Sequence, residues 1–226
     1  MPPRGKPPVL SLAAKEQRVL ETCRTPAAVQ RYLNRLPYNI EPPPGGATLR
    51  SFRGVVRTGT VHCMEAALAA AVILEQHGYP PLILSFESID ELDHVIFVYQ
   101  RGGRWGSVAR SRDPGLHGRK PLFRTARDLA LSYVEPYIDY HGRITGYTVV
   151  NIAELLGDYD WRLSEKNVWK AERVLLDAPH RAIRSSDRRI AALRRRYLRF
   201  KAQHPDRKPV YYPNRHTWSA LPRGPW

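Results

Sequence analysis

The chain has 226 residues, 42% of them hydrophobic, which is enough for one sizeable core with appendages. No apolar run approaches the roughly 20 residues that span a bilayer. The N-terminus, MPPRGKPPVL, lacks the apolar segment of a signal peptide, so a soluble, cytoplasmic protein is expected. Two cysteines, Cys23 and Cys63, and histidines without ligand spacing argue against a disulfide framework and a structural metal, and no cofactor is expected. The net charge of +15 is unevenly spread: residues 181–226 carry thirteen Lys/Arg against Asp187 and Asp206, so the basic character belongs mainly to the tail.

In chain order, residues 1–9 are Pro-rich and expected to be poorly ordered. Ser11 can cap a helix running to about Thr22, and Thr25-Pro26 opens a second helix to about Leu36 through a cap and an N1 proline. The EPPPGG run at 41–46 reads as a linker or rigid loop, followed by a short helix over 47–56. Residues 64–77 form a helix apolar on nearly every face, hence buried, and stopped by Gly78. Three strand-like runs follow, at 81–87, 94–99 and 104–111, with Gly102-Gly103 as the hairpin turn between the last two. A buried helix followed by antiparallel strands is an α+β arrangement. Helical patterns resume at about 125–137, 150–157 and 167–176, and a last helix spans about 180–201. Residues 204–226, with Pro, Tyr and Trp and no period, read as an extended arm.

The chemistry centres on Cys63, where a loop containing Gly59 meets the buried helix. A cysteine nucleophile needs a lowered pKa, a neighbouring base and donors for the developing oxyanion. A helix N-terminus helps with the first and third, because its unpaired N–H groups and dipole favour thiolate over thiol. His94 begins a strand after the turn-like stretch at 90–93, and packing helix on sheet can bring it to Cys63 as general base.

The order Gly59-Thr-Val-His-Cys63-Met-Glu65, a buried helix to Gly78-Tyr-Pro, a strand, Asp93-His94-Val-Ile-Phe-Val, a Gly turn and Arg104-Trp105-Gly resembles the transglutaminase-like family of the papain-like cysteine fold. The resemblance covers roughly residues 47–112. It implies Cys63 as nucleophile and His94 as general base, in an α+β core of a Cys-bearing helix packed on a small antiparallel sheet. The organisation it suggests is an N-terminal tail with helices at 1–46, the cysteine domain with a helical extension at 47–180, and a basic helix and arm at 181–226.

The family's third-strand aspartate would fall near Ala109, where this sequence has no acid. Asp113, just beyond the strand, can reach the imidazole if the chain bends; Ser107 or Ser111 are alternative orienters. Trp105 reads as core packing or as a wall of the site. The Gly/Pro/Arg-rich loop at 113–124 is long for a connection, and Arg119 and Arg124 are candidates to hold a substrate carboxylate or phosphate, with an ordinary solvated loop as the other reading. Glu65 reads as a capping residue in the first helical turn, His62 as a loop residue and Cys23 as structural.

The expected activity is acyl transfer, or hydrolysis of a peptide or amide substrate, without a metal. The alternative is an inactive scaffold of the same fold whose basic segment, rich in Arg at 188–199 and followed by Tyr211, Tyr212, Trp218 and Trp226, engages nucleic acid or another acidic partner. That segment also reads as a helix packed by its Ile190, Leu193 and Tyr197 stripe, with solvated arginines outside.

Overall fold

The computed structural model describes residues 7–41, 45–89 and 94–224. The expectations for 1–6, for the prolines at 42–44, for the turn at 90–93 and for Trp226 lie outside the described residues. The chain is α+β. Its elements are α1 (Ala14–Thr22), α2 (Pro26–Arg35), α3 (Phe52–Thr58), α4 (Cys63–Glu75), β1 (Leu82–Ser88), β2 (Val95–Arg101), β3 (Arg104–Val108), α5 (Ala126–Val134), β4 (Ile144–Asn151), α6 (Ile152–Leu156), α7 (Trp169–Leu176), β5 (Arg181–Ala182) and α8 (Asp187–Gln203). No helix among the described residues is long and apolar enough to cross a membrane.

The strands form one antiparallel sheet in the order β3-β2-β1-β4-β5. Because side chains alternate along a strand, successive residues feed two different cores. Ile83, Val95, Phe97 and Tyr99 pack with α4 on one face, whereas Leu84, Phe86, Ile96 and Val98 pack with Leu129, Tyr133 and Leu116 on the other. Helix α4, buried from Met64 to Leu74, is the centre of the first core. It stops where the Tyr79 N–H donates to Leu74 O and Gly78 takes φ 78°, a left-handed conformation that glycine adopts without steric cost. Gly102 and Gly103 both have positive φ, as a two-residue hairpin turn between β2 and β3 requires.

Several expectations change. Helix α1 is capped from Glu16 rather than Ser11: the Ala13 N–H donates to Glu16 Oε2 at 2.8 Å, and Arg53 holds that carboxylate in place. Residues 144–151 form β4, which pairs along the whole of β1, and the helix expected from 150 is only the short α6. The last helix begins at Asp187 with Ser186 as its cap, after the two-residue β5. The segment after α8 folds back instead of extending. Tyr212 and Trp218 are buried, the Lys120 N–H donates to Thr217 O, and the Ser219 N–H donates to Gly118 O. The described part of the segment, 181–224, is thus packed on the rest of the chain.

Candidate active site

Cys63 owes its position to three local features. Gly59 ends α3 in a left-handed conformation and turns the chain. Val61 then pairs with Tyr38, its N–H donating to Pro37 O and its carbonyl accepting from Asn39 N–H. Next, α4 begins at Cys63, with His62 as N-cap. Glu65, fully buried, fixes this turn. It accepts from His62 N–H at 3.1 Å, from Arg50 N–H at 3.0 Å, from Arg50 Nε at 2.6 Å and from Thr48 Oγ1 at 3.0 Å. Burial works to raise the Glu65 pKa, but Arg50 and His62 outweigh it and hold the group below the ordinary carboxylate range. Glu65 is therefore the clamp of the helix start.

Two imidazoles converge on the half-buried Cys63 thiol. Burial alone would push its pKa up. Hydrogen bonds from His62 and His94, with their positive charge, overturn that effect and bring it down to about 5. His62 moves the opposite way: burial would depress it, but Cys63 and Glu65 raise it to about 9. Its Nε2 sits 2.8 Å from Thr48 O and 3.6 Å from Glu65 Oε1, a setting that suits an imidazolium. The Met64 N–H approaches Nδ1 at 3.3 Å, a long contact that would favour the neutral ring; the surrounding carbonyl and carboxylate outweigh it. His62 is thus part of the site, although its sequence position marks it only as a loop residue.

His94 is buried between Phe86, stacked at 6.2 Å, and Tyr133 at 6.0 Å. Its Nε2 lies 2.8 Å from Leu116 O. A carbonyl only accepts, so Nε2 carries a proton, and Nδ1 is the nitrogen left to meet the sulfur, with a lone pair toward the thiol and with the transferred proton toward the thiolate. The third position of the site is therefore occupied by a backbone carbonyl. The expected orienters are engaged elsewhere. Asp113 pairs with Lys208 Nζ at 2.8 Å. The Ser107 hydroxyl shares a 2.7 Å hydrogen bond with Tyr133 Oη, and Ser111 Oγ accepts from Asp113 N–H.

The pair opens into a cleft of about 550 Å³ whose walls include Tyr38, Thr48, Leu116 and Trp169, with Tyr197, Lys208 and Tyr212 contributed by the C-terminal segment. Tyr38 lies with its hydroxyl against both the backbone N–H and the side chain of Cys63; burial and the nearby sulfur raise its pKa. No sequence signal pointed to it, because the Tyr38–Val61 bridge brings it in from a separate segment.

The three substrate-binding candidates lie away from the cleft wall. Trp105 pairs with Phe123 and packs against the second core. Arg124 is exposed. Arg119 is completely buried, with its guanidinium committed to backbone carbonyls, and so cannot reach a substrate carboxylate in the cleft.

No family model matches this sequence, and no curated protein does either. Among solved structures, the chain is similar to LapG of Legionella pneumophila, with 11% identity and a TM-score of 0.38, over 70% of this chain and 85% of that one. An EGTA-treated form of the same protein gives 12% identity and the same TM-score, over 72% and 85%.

Proposed function

We propose that this protein is a transglutaminase-like cysteine enzyme that transfers an acyl group from an amide or peptide to water or an amine. The observation that carries this reading is the convergence of two imidazoles on a thiol at the N-terminus of a buried helix, with one imidazole oriented by Leu116 O. The Cys63 thiolate attacks the carbonyl carbon. The oxyanion that forms is met by the Cys63 N–H, released by Tyr38, and by the Tyr38 hydroxyl. His94 Nδ1, holding the thiol proton, returns it to the leaving nitrogen as the C–N bond breaks. Water or an amine then gives a proton to the neutral His94 and attacks the thioester, and the thiolate departs. His62, fixed by Thr48 and Glu65, holds positive charge beside the sulfur throughout.

Iodoacetamide at near-neutral pH tests this. Cys63 should be alkylated well ahead of Cys23, and His94→Ala should remove that lead. Equal rates at the two thiols, unaffected by the substitution, would contradict the reading.

A second reading concerns the basic surface. Arg188, Arg189, Arg195 and Arg199 of α8 face solvent, and Asp187 is the helix's only acid. This face is the one that would meet a polyanion such as nucleic acid. Since residues 181–224 pack on the core, charge reversal (Arg188→Glu with Arg195→Glu) is the cleaner test than deletion. It should weaken salt-dependent retention on a polyanion column, and unchanged retention would reject the role.

A further inference from the structure

Arg119 is 0% exposed, and among the described residues no carboxylate pairs with it. Burying a cation without a counter-charge is costly unless dipoles replace the lost water. Here they do so in one direction. Arg119 Nη1 donates to His117 O at 2.7 Å, and Nη2 donates to Gly115 O at 2.6 Å. Nε donates to Ser132 Oγ at 3.2 Å, and the rings of Tyr133 and Trp218 lie 4.0 and 5.2 Å from the guanidinium carbon. The two carbonyls drawn to Arg119 flank Leu116, whose own carbonyl is the one that meets His94 Nε2. The Tyr133 hydroxyl adds a further donor to His117 O at 3.0 Å. The loop has little room to move: a Cβ on Gly115 would lie 2.6 Å from Pro136 Cβ, and a Cβ on Gly118 would lie 2.2 Å from Gln30 Oε1.

We propose that Arg119 is the positioning residue for His94, acting through the peptide of Leu116. Its planar fork fixes the carbonyls on either side, which leaves the Leu116 carbonyl aimed at the imidazole and selects the Nε2–H tautomer. Lysine, a point charge on a flexible stem, does not reproduce a fork. Trp218, through its ring and its bridge to Arg119, makes the C-terminal segment part of this support. The inference rests on His94 as the base of Cys63.

The test uses the full chain and two readouts. Nitrogen NMR of the imidazoles, with His94 assigned from its loss in His94→Gln, reports the tautomer. Iodoacetamide reports Cys63 reactivity against Cys23. In the wild type, neutral His94 should show the Nε2–H form alone. Folded Arg119→Lys and Arg119→Met should show mixed tautomers and a Cys63 rate lowered on the order of 10- to 100-fold, by analogy with the loss when the hydrogen-bonded outer partners of metal-ligating histidines are removed. Folded variants with the wild-type tautomer and rate would overturn the proposal. Should neither variant fold, Ser132→Ala decides: mixed tautomers support the proposal and an unchanged tautomer overturns it. Wild-type Cys63 reacting no faster than Cys23 would instead sink the cysteine-enzyme reading, while the tautomer result still decides what Arg119 does.

Discussion

The two cysteines of this chain sit at opposite ends of two helices, and their environments drive them apart. Cys63 opens α4, at the end where unpaired N–H groups and the dipole favour negative charge, and two imidazoles face it. Cys23 closes α1, at the end where carbonyls point at it; its sulfur lies 3.8 Å from Thr22 Oγ1 and 4.0 Å from Ala28 O. Burial raises the Cys23 pKa, with Thr22, Arg35 and Arg31 only partly offsetting it. Burial pushes both thiols upward. What separates them is the polar company each one keeps.

The strongest way to break this contrast is to remove His94. His94→Ala should lower acyl transfer by roughly 10²–10⁴-fold, the contribution of a positioned acid–base group, and should bring the alkylation rate of Cys63 toward that of Cys23. A loss smaller than about fivefold would show that His94 is not the base.

Glu65→Ala attacks the frame instead of the chemistry. It strips Arg50 of its carboxylate and His62 of both an N-terminal acceptor and a counter-charge. Removing one partner of a buried pair costs on the order of 3–5 kcal/mol, so a clear drop in the denaturant midpoint is expected. A midpoint within error of wild type would show that the clamp carries no stability.

His62→Ala sharpens the contrast by isolating one imidazole. Without it, the effect of burial on Cys63 is less opposed, so the thiol pKa should rise and the alkylation profile should move to higher pH. Below the inflection, the thiolate fraction falls about tenfold for every pH increment of one by which the profile moves. The thiol falls from 9.0 to about 5 in the fold, so its stabilising contribution is present above the unfolded value and is lost as pH falls toward 5. His62 rises from 6.5 to about 9, so its contribution is present below 6.5 and lost as pH rises through 9. Between 6.5 and 9 the thiol's gain offsets the loss from His62, so the wild-type protein should lose stability only as pH falls from about 6.5 toward 5, whereas in His62→Ala stability should keep rising with pH up to about 9. The smallest effect is expected from charge reversal on α8, which should leave the Cys63 to Cys23 rate ratio within about twofold of wild type, since exposed charges beyond a Debye length are screened.

How far the sequence foretells this site depends on what each part is made of. Cys63 and His94 carry side-chain chemistry at the ends of strongly patterned elements, a buried helix and an apolar strand, so both residue types and both placements could be read. Leu116 contributes only its carbonyl, which every residue possesses, and no pattern distinguishes it; an acid at Asp113 was the natural expectation. Tyr38 is brought in by a bridge between distant segments. Strand β4 did carry a signal, the β-branched run Thr148-Val149-Val150, but the helix that follows it directly masked the boundary. The tail after α8 has no period because single anchors, Tyr212 and Trp218, hold it to the core.

The most direct measurement is the ultraviolet absorbance of the Cys63 thiolate across pH in the Cys23→Ser protein, where a single thiol remains. The structure calls for a step near pH 5. A step at about 8.5 or above, the range of an ordinary or buried thiol, would contradict an activated nucleophile.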